Sequence, residues 1–173
     1  MSKAELNLLR YLNIEEKLNA FFKVFNYCFD PCIRLEISKN NGNPVSACCK
    51  DKYYKKYDLG VPACSLLKEE RQKKYGTPES YSFSNPVSPC EYHNPFSGCV
   101  LPTHKSPVCL AFMCSDSIGE LRNKYTIFGY DYLGMNYALE WILTGDFSDT
   151  DYYDLEQSII TMTETIINYK KED

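Results

Sequence analysis

The sequence predicts a mainly α-helical protein, in which a single domain over residues 1–173 forms a helical bundle that carries a cysteine- and proline-rich loop region. Apolar residues recur at helical spacing in both terminal parts, and the middle part has little periodicity. Seven of the nine cysteines lie in that middle part. We therefore expect helical flanks at 2–29 and 117–170 and a cysteine-rich segment at about 46–116. A chain of 173 residues is long enough to bury one core.

The N-terminal flank has the signals of an amphipathic helix. Ser2 and Glu5 form a capping box, and Asn13 with Glu16 offers a second one, so we expect a break near Asn13. Pro31 is the expected stop. The apolar face consists of Ile14, Leu18, Phe21, Phe22 and Phe25.

The middle segment is rich in residues that interrupt regular structure. Six of the nine prolines lie from Pro78 to Pro107, so we expect loop from about 79 to 105 and no convincing strand. One helix is predicted from Ala63 to Tyr75, and a short one after Cys49. A loop of such length inside a domain needs something to hold it.

The C-terminal flank is again helical. A capping box from Ser117 to Glu120 predicts a short helix to about Tyr125. The run from Asp131 to Thr144 is apolar on all faces, which predicts a buried helix. Ser148 or Asp149 is expected to cap the last helix. Its apolar seam favours core packing, with a homodimer through this helix as the alternative, and consists of Tyr152, Leu155, Ile159, Met162, Ile166 and Tyr169.

Composition and charge exclude several classes of function. The net charge of −4 gives no case for nucleic acid or for an anionic membrane. The first residues lack a secretory signal, and no apolar run is long enough to span a bilayer, so we expect a cytoplasmic protein. In a reducing compartment, many cysteines indicate ligands or redox groups more often than disulfides.

The cysteine density predicts a metal centre that organises the loop region. Thiolates are the soft ligands of zinc and of iron–sulfur clusters. Gly98 before Cys99 and Pro107 before Cys109 are suited to sharp turns that bring thiolates together. For Cys28 and Cys32 we expect core packing. His93 or His104 can complete a Cys3His site. The candidate ligands are Cys48, Cys49, Cys64, Cys90, Cys99, Cys109 and Cys114.

The segment from Ser46 to Phe112 resembles a known family. Its paired Cys48–Cys49, its Gly98-Cys99-Val100-Leu101 step and its Pro107-Val108-Cys109-Leu110-Ala111-Phe112 step are similar to elements of the zinc- or iron-chelating domains of the YkgJ type. The sequence departs from that family where Val45 stands in place of the first cysteine. The resemblance implies metal or cluster binding, and it favours a ligand set of Cys49, Cys90, Cys99 and Cys109.

The scattered spacing of the cysteines favours a [4Fe–4S] cluster, with zinc as the alternative cofactor. An iron–sulfur protein in electron transfer or redox chemistry, with a redox partner protein, is therefore the first hypothesis. The second is a zinc-stabilised module for protein or RNA, which would display a basic and aromatic patch. No catalytic motif is found, so any reactivity is expected at the cluster or at a thiol such as Cys48 or Cys114. The patch consists of Lys50, Lys52, Tyr53, Tyr54, Lys55, Lys56 and Tyr57.

Overall fold

The computed structural model describes residues 1–27, 31–43, 59–81, 90–94 and 96–172, and these are mainly helical. A 3-10 turn covers Pro78–Tyr81, and two short strands, β1 (His93–Asn94) and β2 (Gly98–Cys99), form an antiparallel hairpin. The helices are α1 (Lys3–Phe25), α2 (Ile33–Lys39), α3 (Pro62–Tyr75), α4 (Pro107–Ala111), α5 (Ser115–Tyr125), α6 (Tyr132–Thr144) and α7 (Asp149–Glu172).

Helix α1 runs without a break and is shorter than predicted. The capping box of Ser2 and Glu5 is present. The second predicted cap is wrong, because the Asn13 amide donates hydrogen bonds of 2.8 Å across to Tyr152 and Glu156 on α7. The helix ends at Asn26, which adopts the left-handed conformation (φ 48°) and donates its N–H to the Phe22 carbonyl.

Helix α1 is central to the bundle. It packs against α3, α6 and α7, while α4 packs on α6 and α5 on α7. The predicted seam of α7 contributes buried residues to this core, so it is used for packing within the chain. Fully buried side chains of the main core include Ile14, Leu18, Phe21, Leu121, Leu139, Ile142, Leu143, Ile159 and Ile166.

Helix α6 is buried on one face only, which corrects the prediction of a helix enclosed on all sides. Leu139 is completely buried, whereas Tyr137 and Trp141 are about half exposed. The Asp131 side chain caps the helix by accepting the backbone N–H groups of Leu133 and Gly134 at 3.1 Å. Gly145 ends it with φ 83°.

The remaining predictions had mixed outcomes. Helix α3 is confirmed within one residue. The capping box at Ser117 is wrong, because its hydroxyl donates to the Cys114 carbonyl at 2.9 Å and α5 already starts at Ser115. Ser148 caps α7 by accepting the Asp151 N–H at 3.1 Å. The predicted helix after Cys49 lies outside the described residues.

In the described part of the chain, no helix combines the length and the apolar character that a membrane span requires.

Candidate metal centre

Two of the predicted ligands, Cys90 and Cys99, lie beside and within the β1–β2 hairpin. His93 is paired with Cys99 and Asn94 with Gly98 in the antiparallel register. Gly98 has φ 83°, which a side chain would strain, so the residue before Cys99 lets the chain reverse direction here. Cys90 begins the turn that leads into β1, which is closed by a hydrogen bond from the His93 N–H to the Cys90 carbonyl at 3.1 Å. Cys90 and Cys99 therefore belong to one local structure.

A small apolar cluster surrounds these two cysteines. Tyr92 and Leu101 are almost completely buried at its centre, and Cys90 and Cys99 pack against them. The partly buried side chains of Tyr75, Tyr81 and Val100 complete the cluster. Burial raises the pKa of the Cys99 thiol above its ordinary value. This second core is separate from that of the helical bundle.

Cys109 lies in α4, close to the hairpin. Although one side of the residue is exposed, the protein around its thiol raises the pKa to about 12, and Cys99 and Cys90 contribute further through charge repulsion. Charge repulsion acts over several ångströms, so it places Cys109 in the same region as Cys99 and Cys90 without placing the three sulfur atoms in contact. Three predicted ligands thus share one region. In the described ranges, however, no three Cys, His, Asp or Glu side chains converge tightly enough to hold a metal ion.

The other candidate ligands lie in different places. Cys64 is buried in the first turn of α3. Burial raises the pKa of Tyr11, and the charges of Cys109 and Cys64 add to that rise. Cys114 precedes α5. Burial raises the pKa of Tyr27, and the charges of Cys114 and Cys32 add to that rise. Cys48, Cys49 and Cys28 lie outside the described residues, and so does the basic patch.

The thiol of Cys114 has a lowered pKa, in contrast to those of Cys99 and Cys109. Burial acts to raise the pKa of its thiol, but hydrogen bonds from Ser117 and from the Asp116 backbone outweigh burial and lower it below the ordinary value. The residue stands at the N-terminus of α5, where a thiolate is favoured. A lowered thiol pKa is consistent with the hypothesis that Cys114 is a reactive thiol.

The two histidines differ in their suitability as ligands. His93 is buried opposite Cys99, and burial lowers its pKa, which keeps the imidazole in the neutral form that binds metals. Both ring nitrogens of His104 already have partners: Nδ1 lies 2.8 Å from the Thr103 hydroxyl and Nε2 lies 3.1 Å from the Glu70 carboxylate. In this arrangement His104 is not available to a metal.

The loop at 101–106 is bound to α1 by hydrogen bonds. Three α1 residues at four-residue spacing, Tyr11, Glu15 and Asn19, form what we call the polar stripe. The Glu15 carboxylate accepts the backbone N–H groups of His104 at 2.7 Å and Lys105 at 2.9 Å. Tyr11 donates to the Lys105 carbonyl at 2.7 Å, and Asn19 donates to the Pro102 carbonyl at 3.0 Å.

Helix α3 holds the same loop from the other side. The buried Arg71 guanidinium donates to the His104 carbonyl at 3.1 Å and lies over the Tyr92 ring at 5.8 Å. The Tyr75 and Thr103 hydroxyls are hydrogen-bonded. These contacts keep His104 in a left-handed conformation (φ 62°), which is unfavourable for a residue with a side chain. These protein contacts position the loop between Cys99 and Cys109.

Sequence reasoning missed this attachment. Glu15 is completely buried although glutamate is rarely so, and Arg71 is 4% exposed. Burial raises the pKa of Glu15, while the two backbone N–H groups oppose that rise. The only available signal was the four-residue spacing of Tyr11, Glu15 and Asn19, which places them on one face of α1.

Comparison with known proteins leaves the family open. A scan against protein-family models gave no match, and neither did searches of curated proteins and of solved structures. The resemblance to the YkgJ-type domains therefore rests on the cysteine-containing steps alone.

Proposed function

We propose that the chain is an iron–sulfur protein in which Cys49, Cys90, Cys99 and Cys109 hold a [4Fe–4S] cluster, and that it acts in cytosolic electron transfer or redox chemistry. The observation that carries this proposal is the shared position of three of these thiols: Cys90 and Cys99 on one hairpin, and Cys109 beside them on α4. Cys48, Cys64 and Cys114 are reserve ligands or belong to a second site.

The donor set suits the cluster in softness and in surroundings. Cysteine thiolates are the usual ligands of cubane clusters, and these accept ligands from separate loops. Tyr92 and Leu101 keep water away from Cys90 and Cys99. Burial raises the pKa of both Cys99 and Cys109, and the positive charge of the buried Arg71 opposes that rise, as it would favour thiolates bound to a cluster.

The polar contacts of the 101–106 loop support the same proposal. They hold the chain between Cys99 and Cys109 in place, which would reduce the entropy lost when thiolates are gathered around iron. A bound cluster would supply reversible one-electron chemistry. The protein would contribute positioning, exclusion of water and a nearby buried cation.

A second candidate function is a zinc-stabilised interaction module. It is favoured by His93, whose neutral imidazole lies across the hairpin from Cys99 and could join Cys90, Cys99 and Cys109 in a Cys3His site. In that case the metal would only stabilise the fold, and the basic patch at 50–57 would contact a protein or RNA.

Anaerobic purification separates the two candidates. An iron–sulfur protein is expected to be brown, to bleach with dithionite and to contain about four iron and four sulfide per chain. Cys99→Ser and Cys109→Ser should lose this iron, whereas Cys32→Ser should keep it because that residue lies in another region. A colourless protein with one zinc per chain, lost in Cys99→Ser, would establish the second candidate. Full iron content in Cys99→Ser would overturn the ligand set.

A further inference from the structure

The surface of α6 carries a row of exposed apolar side chains. Leu133, Tyr137 and Trp141 follow one another at four-residue spacing and are 52%, 53% and 52% exposed. The rings of Tyr137 and Trp141 are stacked, with 6.3 Å between their centroids. The centroid of the Trp141 ring lies 6.4 Å from that of Phe147, just beyond the helix. We call these four residues the α6 ridge. Large apolar side chains in a continuous row on a surface mark an interaction site more often than isolated ones do.

The chain segment that carries the α6 ridge is acidic, while two basic side chains of α1 reach its Phe147 end: Lys3 lies against Gly145, and Arg10 donates to the Phe147 carbonyl at 3.5 Å. Residues 125–169 contain eight aspartates and glutamates and no lysine, arginine or histidine. Three of the acidic residues border the ridge directly along the chain: Asp131 at the start of α6, Glu140 within it and Asp146 after its end. Arg10 approaches this part of the molecule from α1, where it forms an ion pair with Asp149 at 3.0 Å. The ridge is therefore an aromatic surface with an acidic border.

We propose that the α6 ridge docks a basic amphipathic helix of another protein. The acidic border selects a partner that carries lysine or arginine, and the aromatic row selects one with an apolar face. Side chains at i, i+4 and i+8 form a ridge about 12 Å long, which fits the groove between such rows on a second helix.

The same observations argue against other occupants. Anionic membranes and nucleic acids are disfavoured by the acidic residues that border the ridge, Asp131, Glu140 and Asp146. A second copy that used the same face would bring Asp131, Glu140 and Asp146 against their own equivalents. The described β-structure is a hairpin of two-residue strands and offers no long edge for strand addition.

A synthetic helix of leucine and lysine in amphipathic order is a suitable probe. Trp141 is the only tryptophan of the chain, so its emission reports directly on the ridge. We expect the probe to shift this emission to the blue and to bind at least about tenfold more tightly than a peptide of the same composition in scrambled order. A peptide with glutamate in place of lysine should not bind.

Variants of the chain locate the binding. Tyr137→Ala should weaken binding of the probe at least about tenfold. Glu140→Gln should weaken binding less and should reduce the dependence of binding on salt. Leu35→Ala, which truncates an equally exposed leucine on α2, is the matched control and should bind as the unchanged protein does. Equal binding by the scrambled peptide, or by Tyr137→Ala, would overturn the proposal. So would a homodimer in light scattering that Tyr137→Ala abolishes. Metal content does not enter these readouts, so they are independent of the proposed cluster.

Discussion

Two neighbouring faces of α1 hold different parts of the molecule. On one side Ile14, Leu18 and Phe21 pack in the core of the bundle. On the other side the polar stripe of Tyr11, Glu15 and Asn19 binds the loop next to the candidate metal centre. Apolar burial is not directional and tolerates repacking, whereas each hydrogen bond of the stripe serves one particular atom. The bundle therefore depends on the pattern of apolar residues, whereas the attachment of the loop depends on individual polar residues.

The largest loss of stability is expected on the apolar side. Phe21→Ala removes a completely buried ring that lies within 6 Å of Phe22, Phe25 and Tyr130. We expect the free energy of unfolding to fall by about 3–5 kcal/mol, measured by urea denaturation and circular dichroism. Leu9→Ala, on the exposed part of the same helix, should change it by less than about 0.5 kcal/mol. Similar values for the two variants would contradict the assignment of the core.

A smaller and more local loss is expected on the polar side. Glu15→Ala leaves the backbone N–H groups of His104 and Lys105 without their acceptor, and we expect a cost of about 2–3 kcal/mol. Hydrogen exchange of residues 101–106 should accelerate more than that of the bundle. Glu16→Ala, which removes the exposed neighbouring carboxylate, is the matched control. If the exchange of the loop were unchanged, the loop would have to be held by other contacts.

The smallest effect is expected from pH. Burial lowers the pKa of His104 in the folded protein, and the hydrogen bond that its Nε2 forms with the Glu70 carboxylate only partly opposes this. The unfolded chain, with a pKa of about 6.5, therefore takes up the proton first as the pH falls. The contribution of His104 to stability is complete above that value and is lost below it, by at most about 1.4 kcal/mol per pH unit.

His104→Asn isolates this contribution. Asparagine tolerates the left-handed backbone at this position but does not titrate. The difference in unfolding free energy between the unchanged protein and this variant should shrink between pH 7.5 and 5.5. Groups that titrate in both proteins cancel in that difference. A constant difference would show that His104 is not protonated on unfolding.

The comparison also explains what sequence could and could not predict. The helices α3 and α7 follow from caps and from 3.6-residue periodicity, because these are local properties. The exposed face of α6 could not be foreseen, because the sequence does not show which sides of an apolar helix find a neighbour. The attachment of His104 to Glu15 joins residues 89 positions apart, and no local pattern records such a pair. The ligand set of Cys49, Cys90, Cys99 and Cys109 stays a prediction, because Cys49 lies outside the described residues and no three potential ligands converge within them.

The packing of α7 on α1 has a consequence for synthesis in the cell. The two helices are separated by more than a hundred residues, so the part of α1 that packs on α7 stays uncovered until α7 has left the ribosome. At about 5–20 residues per second, the roughly 120 residues between them take on the order of 6–24 s to translate. During that time the part of α1 that packs on α7 is open to other chains. The nascent protein is therefore an expected client of chaperones that bind aromatic segments close to the exit tunnel.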